Sequence, residues 1–553
     1  MPRPQPSLPG LVIGGTGSNS GKTTLTLALL CALHERGLVA RAAKTGPDYI
    51  DAAFHAALTG QPAANLDTWM CREAAPSPTE RPLRAGCGPS CGLPAGLKRV
   101  FARMSAPCSL PLAGDTTAAT PDTLPHILPD ILPDILVVEG AMGLFDGGHK
   151  GTGSTAHLAA LLGLPLLLVL NAGGMGQSVA ALAEGFLRHR PAWAGTRPLH
   201  FLGMVCTHVG SPRHADLLQQ SLAPVSKISG VPLLGLMPRQ GAPSLPARHL
   251  GLVEAREALP AVDRQALAHW AEDHCNLDLL LQRAGAATLR RASPDHTAAS
   301  INDAEKLPEL PQDATPASRF FPAANSATRR GKRPLRIGLA WDEAFSFCYA
   351  DLPAVLGELK ADVVTFSPLR DTAPPPGCAG LYFPGGYPEL HAARIAANTQ
   401  IRTALHNKAA QGMPMYGECG GYMYLMRSLL INGQQYAMSG LLPRSCALGQ
   451  TKAALGYRAG LAHADWALAS TTARPLWVRG HEFHYAQEQA DPLPAQCSPL
   501  WQLHDSQGRF LRADGCRMGS VAGSWLHCYP EGSRRFWRLW LGLCSAYLSA
   551  QGT

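Results

Sequence analysis

The stretch Gly15-Thr16-Gly17-Ser18-Asn19-Ser20-Gly21-Lys22-Thr23-Thr24 constrains the fold more than any other part of this chain. It follows an apolar run, LVIGG from Leu11, and opens a helical pattern that continues to about Arg36 and closes at Gly37. A strand that ends in small residues and feeds directly into a helix turns backbone N–H groups, and the positive helix end, toward one point. That arrangement suits phosphate. Gly21 lets the backbone approach closely, the Lys22 ammonium reaches β- and γ-phosphates, and the Thr23 hydroxyl is placed to ligate Mg²⁺. The common pattern has glycine where this chain has Thr16.

Further apolar runs at Ile135–Glu139, Leu166–Asn171, Phe201–Cys206 and Val231–Met237 each precede a turn or a helical pattern. Continuous apolarity marks strands buried on both faces. The expected class is therefore α/β, a mainly parallel sheet with helices on both faces. From about 74 to 130 the pattern dissolves into Pro, Gly, Cys and Thr and ends in the tandem ILPDILPDIL, which reads as an irregular insert. From 285 to 332 Ala, Ser, Asp, Pro and Thr dominate without apolar period, as in an interdomain linker. The expected organisation is a domain over 1–284, the linker over 285–332 and a second α/β domain over 333–553. Its strands are read at RIGLAW from Arg336, near Asp362–Phe366, at Gly380–Phe383 and at Pro414–Gly417.

A phosphate loop needs acidic company for its metal. KTGPDYID offers Asp48 and Asp51, and VVEGAMGLFDG offers Glu139 at a strand's end and Asp146 in the loop beyond. In open α/β sheets ligands bind past the carboxyl ends of the strands, where both clusters are expected. The plainer alternative is that Asp48 and Asp51 cap a helix after Pro47 and that Asp146 makes a turn before Gly147. Glu139 resists that alternative, because a charge ending an apolar strand needs a partner.

The second half carries its own chemistry. In GMPMYGECGGYMYL an apolar strand ends in Gly417-Glu418-Cys419-Gly420-Gly421 and a helical stretch follows, a nucleophile elbow with cysteine in the reactive position. The helix start there is expected to stabilise a thiolate. For an oxyanion hole the loop Phe383-Pro384-Gly385-Gly386-Tyr387 follows a strand and presents free N–H groups, with Gly385 and Gly386 foremost. Two histidines compete as base, His527 in GSWLHCYPEG and His484 in GHEFHYA. His527 is favoured, since His481, Glu482 and His484 can simply hydrogen-bond one another on a strand.

Composition narrows the partners. A charged share of 16% beside an apolar share of 46% over 553 residues excludes intrinsic disorder. The formal charge of +8 is scattered, and the one compact basic run (Arg329, Arg330, Lys332, Arg333) falls at the linker, so no nucleic-acid partner is expected. The longest apolar run, Leu158–Leu170, contains Pro165 and is too short for a bilayer, so no membrane association is expected. Fifteen cysteines without regular spacing speak for a reducing cytoplasm over a disulfide framework. Cys87 and Cys91, with Cys71 and Cys108 nearby, could suggest a metal site, but their irregular spacing within an insert argues against one. The opening MPRPQPSLPG shows no export pattern, in line with a cytoplasmic expectation.

Taken together the motifs resemble the cobyrinate a,c-diamide synthase family, including its hydrogenobyrinic acid branch. They are GTxSxxGKTT, KTGPDYID, NLDTWM (Asn65–Met70), EGAMGLFDG, LPARHLGL (Leu245–Leu252), DEAFSFCY (Asp342–Tyr349), FSPLRD, YFPGGYPEL, GECGGYMYL and RGHEFHY. The resemblance implies an ATP- and glutamine-dependent ligase of cobalamin biosynthesis. It joins a P-loop domain like that of dethiobiotin synthetase to a class I glutamine amidotransferase domain. By the same resemblance Cys419 attacks the glutamine amide, His527 acts as base and then acid, and ammonia is released. ATP with Mg²⁺ then phosphorylates the a and c side-chain carboxylates of a corrinoid, and ammonia displaces the phosphate. On that pattern Thr16 through Thr24 bind ATP, and Thr23, Asp48 and Glu139 hold Mg²⁺. Tyr49, Asp51 and Asp146 meet substrate or intermediate. The resemblance leaves room for a homodimer.

Two features depart from the pattern. Many class I amidotransferases carry Glu two residues after the catalytic His, where this chain has Tyr529, and the first acid downstream is Glu531. The insert also lengthens the spacing between NLDTWM and VVEGAMG. Among alternatives, cobyric acid synthase lacks KTGPDYID and EGAMGLFDG, whereas nickel-sirohydrochlorin a,c-diamide synthase has nearly the same motifs. A regulatory P-loop ATPase would usually carry an extra Lys where this chain has Gly17.

Overall fold

A computed structural model describes residues 8–76, 93–107, 132–148, 151–194, 199–241, 262–285, 334–464, 466, 474–489, 495 and 497–551. LPARHLGL, Cys87, Cys91, Cys108 and nearly all of 285–332 lie outside the described residues. The chain forms two compact units. One comprises Met1–Thr68, Pro82–Leu93 and Leu97–Phe320, the other Trp69–Arg81, Pro94–Gly96 and Phe321–Thr553.

The first unit is built on seven strands: β1 (Gly10–Gly15), β2 (Ala40–Thr45), β3 (Ala64–Leu66), β4 (Ile135–Glu139), β5 (Leu166–Asn171), β6 (Phe201–Val209) and β7 (Leu233–Pro238). Their order is β3-β2-β4-β1-β5-β6-β7 with every pairing parallel. β1 sits at the centre, and Leu11, Val12 and Ile13 are wholly buried there, as continuous apolarity requires of a strand covered on both faces. Helix α1 (Lys22–Glu35) follows β1, and α2 (Tyr49–Thr59) follows β2. Gly21 starts α1 at φ 79°, a left-handed conformation that side chains resist, and no side chain caps the helix. Its first-turn N–H groups therefore have no side-chain acceptor. Asp48 caps α2 instead, its Oδ1 accepting from the Ile50 and Asp51 amides at 3.0 and 3.2 Å.

The stretch from 74 to 130 is not irregular throughout. Helix α3 (Ala95–Met104) lies inside it, with Leu97, Val100 and Met104 buried along one stripe. Pro, Gly and Cys on both sides hid this ten-residue amphipathic pattern.

In the second unit β8 (Leu335–Ala340), β9 (Ala361–Phe366), β10 (Gly380–Phe383) and β11 (Met415–Glu418) join a six-stranded sheet. The order is Cys516–Met518, Val521–Ser524, β11, β10, β8, β9, parallel except for the Cys516–Met518 edge. A four-stranded sheet and a five-stranded antiparallel sheet add to it. The latter contains Ala454–Ala462, Trp477–His484 and His527–Cys528. The sequence reading did not anticipate these two sheets, because short strands such as QQYA at Gln434–Ala437 carry no apolar run.

Residues just past NLDT belong to the second unit, although chain order placed them in the first domain. Met70 and Cys71 are buried there, and the wholly buried Arg479 holds the segment. Its Nε donates to the Ala74 carbonyl at 2.9 Å, Nη1 to the Trp69 carbonyl at 3.1 Å and Nη2 to the Ala75 carbonyl at 3.1 Å. The guanidinium also lies 4.6 Å from the Trp69 ring centroid.

Candidate active sites

In the first unit the carboxyl ends of β1, β2 and β4 converge on one polar cluster. Thr23 Oγ1 donates to Glu139 Oε1 at 2.6 Å, so the loop threonine and the acid ending β4 meet. Lys44, the penultimate residue of β2, bridges Glu139 Oε1 at 2.7 Å and Asp51 Oδ2 at 2.6 Å. His55 Nε2 reaches Glu139 Oε2 at 2.7 Å. Asp51 and His55 stand four residues apart on α2 and so share one face of the helix.

Burial alone would raise the Glu139 carboxyl, but Lys44 and His55 beside it hold it well below the usual range. Burial pushes Asp51 up to about 6, helped by the Glu139 and Asp48 charges and opposed by Lys44. Lys22 is pushed down, first by burial and then by Lys44. Its Nζ is held by the Gly17 carbonyl at 2.8 Å and the Met142 carbonyl at 2.6 Å. Both acceptors are uncharged, so the ammonium has no direct counter-ion in these bonds.

The other loop residues form the frame. Ser20 and Tyr49 are buried, and Ser18 and Asn19 are exposed. The Ser20 carbonyl accepts from Thr207 Oγ1 at 2.8 Å, and Thr24 sits half-buried in the first turn of α1. Thr16 Oγ1 lies 3.5 Å from the Asn171 amide. Asp146 Oδ2 accepts from the Gly143 amide at 2.9 Å, the turn-making role of the plainer alternative. Asp48 likewise spends one oxygen on the cap of α2. Among the described residues no group of three or more His, Cys, Asp or Glu forms a closed metal cage. The oxygen pair of Thr23 and Glu139 is instead the kind of donor set on which Mg²⁺ keeps waters and phosphate oxygens as its remaining ligands.

The second site surrounds Cys419. It stands between β11 and the helix Gly420–Leu425 at φ 48°, ψ −106°, a positive φ that is costly for a residue with a side chain. Its amide donates to the Ser524 carbonyl at 2.8 Å, which fixes the turn to the neighbouring strand. Sγ lies 3.7 Å from the Phe483 carbonyl. The expected thiolate stabilisation is not what the surroundings give. Burial, with Glu389 nearby, drives the thiol well above its ordinary range and outweighs the pull of the Gly420 amide. The helix has only six residues, and the resting thiol is neutral.

The Gly385-Gly386 loop lies against both His527 and the elbow. A Cβ at Gly385 would stand 2.4 Å from His527 Cε1, so only glycine lets the imidazole in. Gly386 backs the elbow, with its N 2.8 Å from where a Gly420 Cβ would be. His527 is buried, and burial, followed by His481 and His484, keeps it well below the ordinary histidine value. It therefore rests neutral. His484 is committed elsewhere: it stacks on Trp525 at 4.2 Å, and its Nδ1 is 2.7 Å from the Ala486 carbonyl. Tyr529 Oη donates to Asp351 at 2.9 Å, and Glu531 lies 3.4 Å from Arg534.

Sequence reasoning passed over Lys44, His55, Glu418 and Arg479, and expected His481 to bond Glu482 and His484 on its own strand, whereas its Nδ1 lies 2.7 Å from Tyr349 Oη. Lys44 and His55 carried a legible signal, a lysine ending an apolar strand and a histidine four residues after Asp51. Glu418 is buried between the Tyr382 hydroxyl at 2.8 Å and the Cys528 amide at 3.2 Å, and burial lifts its carboxyl to about 8.

Comparison with known proteins agrees with this geometry. Residues 11–253 match the CobQ/CobB/MinD/ParA nucleotide binding domain, and residues 336–534 match the CobB/CobQ-like glutamine amidotransferase domain. Fold and sites together define a nucleotide-binding domain joined to a glutamine amidotransferase domain. The hydrogenobyrinate a,c-diamide synthase of Brucella abortus is 36% identical over 526 residues, covering 94% of this chain and 98% of that protein. The cobyrinate a,c-diamide synthase of Syntrophotalea carbinolica is 35% identical over 540 residues, covering 96% and 98%. The hydrogenobyrinate a,c-diamide synthase of Rhizobium meliloti is 34% identical over 526 residues, covering 94% and 98%. The chain belongs to this family of a,c-diamide synthases, ligases that form carbon–nitrogen bonds with glutamine as nitrogen donor.

Proposed function

We propose that this chain amidates the a and c side-chain carboxylates of cobyrinic or hydrogenobyrinic acid, drawing nitrogen from glutamine and energy from ATP. The observation that carries the reading is the pairing of two complete chemistries in one chain. One is the phosphate loop with Thr23 held against Glu139, and the other is Cys419 at its strained elbow beside the His527-filled glycine loop.

At the second site His527 takes the Cys419 proton as Sγ attacks the glutamine amide carbon, and the Gly385 and Gly386 amides receive the developing oxyanion. The C–N bond breaks, the amide nitrogen leaves with the proton returned by His527, and water hydrolyses the thioester to glutamate. At the first site the α1 amides and Lys22 bind the triphosphate, and Thr23 and Glu139 would hold Mg²⁺. Mg²⁺ bound there supplies charge neutralisation on the phosphates. A corrinoid carboxylate oxygen takes the γ-phosphoryl group from ATP. Ammonia then attacks the acyl carbon and phosphate departs. Lys44 and Asp51 set the charge around the acid, and Asp48, Tyr49 and Asp146 frame the carboxylate to be activated.

Within the same reading the protein acts in the cytoplasm and as a homodimer. No helix among the described residues is long and apolar enough to cross a membrane, and the cysteines described are free thiols, which supports a reducing compartment. Light scattering of the purified chain tests the dimer. The division of labour is tested by Cys419→Ala, which is expected to abolish glutamine-driven amidation while amidation with ammonium salts proceeds. Failure of ammonia to support the reaction would overturn the two-site reading.

A further inference from the structure

The acid that ends β4 is gripped by a histidine to which the proposed reaction gives no role. Glu139 is wholly buried, and its two oxygens are served from different elements. Oε1 accepts from Thr23 Oγ1 at 2.6 Å, in the first turn of α1, and from Lys44 Nζ at 2.7 Å, on β2. Oε2 accepts from His55 Nε2 at 2.7 Å, on α2. Among the described residues these are the side chains that bond the carboxylate.

His55 is wholly buried as well. Its other ring nitrogen, Nδ1, is buried and has no hydrogen-bond partner among the described residues. The acceptor within reach is Glu139, so the ring proton belongs on Nε2 and the bond runs from the imidazole to the carboxylate. The helix behind the ring is tied down too. Asp48 caps its start, and Asp51, one turn before His55 on the same face, meets Lys44 at 2.6 Å.

We propose that His55 is the positioning residue of the nucleotide site, fixing the plane of the Glu139 carboxylate so that Oε1 stays turned to Thr23. The inference rests on the reading of Thr23 and Glu139 as the Mg²⁺-holding pair given above. The last torsion of a glutamate side chain is broad and two-fold, so the side chain itself does not choose which oxygen faces the loop. Two donors on one oxygen leave the other able to swing, and a donor on the second oxygen removes that freedom. Mg²⁺ demands near-ideal octahedral geometry, which makes such freedom costly. Lys44 cannot do the same work, because an ammonium donates in several directions and is shared with Asp51. A planar imidazole donates along one line. Since α2 begins at Asp48 and Tyr49, the helix proposed to frame the substrate carboxylate also sets the metal-holding acid.

Binding of Mn²⁺, a spectroscopic stand-in for Mg²⁺, tests the inference. It is read from the electron paramagnetic resonance signal of the free ion, with the full chain and one equivalent of a non-hydrolysable ATP analogue. His55→Leu keeps much of the volume and removes the donor. His55→Gln returns an N–H near the place of Nε2, and His55→Asn carries an amide too short to reach Oε2. We expect the Mn²⁺ concentration at half-saturation to rise roughly 10- to 100-fold in His55→Leu and His55→Asn, and to stay within about 3-fold of the parent in His55→Gln. Affinity for the analogue in EDTA and kcat for glutamine hydrolysis should stay within about 3-fold of the parent in all three. A merely structural histidine would lower the melting temperature and leave half-saturation in place. Parent-like half-saturation in folded His55→Leu, or in His55→Asn where the leucine variant does not fold, overturns the proposal. So does an equal loss of analogue binding in EDTA, or a loss in His55→Gln as large as in His55→Asn. Glu139→Gln separates the two readings. If it keeps the parent half-saturation, the metal-site reading itself fails. If it loses Mn²⁺ while the His55 variants hold it as the parent does, only this inference falls.

Discussion

Replacing Arg479 with Met should loosen the second unit without touching either reacting site. The guanidinium makes three bonds to carbonyls of Trp69, Ala74 and Ala75 and lies over the Trp69 ring. Hydrogen bonds from a charged donor contribute about 1.5–3 kcal/mol each when both partners are shielded. Ala74 and Ala75 are exposed, so water replaces the lost donor there, and each of those bonds falls to about 1 kcal/mol. The Trp69 carbonyl adds about 1.5 kcal/mol and the ring contact about 1 kcal/mol. Methionine keeps most of the aliphatic stem, so the expected loss is about 4 kcal/mol. Urea unfolding read from tryptophan fluorescence should show the transition of the second unit shifted by that amount. Trypsin should cleave faster after Arg72, which lies inside the held segment. A transition within ~0.5 kcal/mol of the parent, with equal cleavage at Arg72, would refute the role given to Arg479.

Other perturbations test the polar clusters. Lys44→Met leaves Asp51 and Glu139 buried without their shared cation, and should cost the first unit about 3–5 kcal/mol in thermal unfolding. Glu139→Gln should leave glutamine hydrolysis intact and stop carboxylate activation, read as loss of ATP-dependent product; full amidation would remove Glu139 from the proposed metal site. Glu418 gives a pH signature. Its carboxyl, raised from 4.5 to about 8, keeps its proton in the folded chain where the unfolded chain has released it. The stabilisation is therefore complete below about pH 4.5 and is lost as pH rises through about 8. Glu418→Gln should flatten the fall in melting temperature over that window, and an unchanged slope would contradict the assignment.

Most of the scaffold was legible because parallel strands announce themselves. LVIGG, ILVVE and LLLVLN are continuous apolar runs, and each ends where its chemistry begins. The elbow was legible too, since glycines on both sides of Cys419 have few other uses. What stayed hidden depends on side chains from distant segments. The Lys44 bridge joins β2, β4 and α2, and the stack of His481 on His527 joins strands 46 residues apart in sequence. The thiol's neutrality was misjudged because burial, a tertiary property, outweighs a short helix's amides. Arg479 reads as one more strand arginine until the carbonyls of 69–75 are seen around it.

The central claim meets its most direct test in a mass-spectrometric assay of the purified chain with ATP, Mg²⁺ and glutamine. Cobyrinic acid, hydrogenobyrinic acid and nickel-sirohydrochlorin would be offered in parallel. The account predicts a doubly amidated product from cobyrinic or hydrogenobyrinic acid, formed with ATP consumed and glutamate released. ATP hydrolysis with no amidation of any of the three, or amidation of nickel-sirohydrochlorin alone, would contradict it.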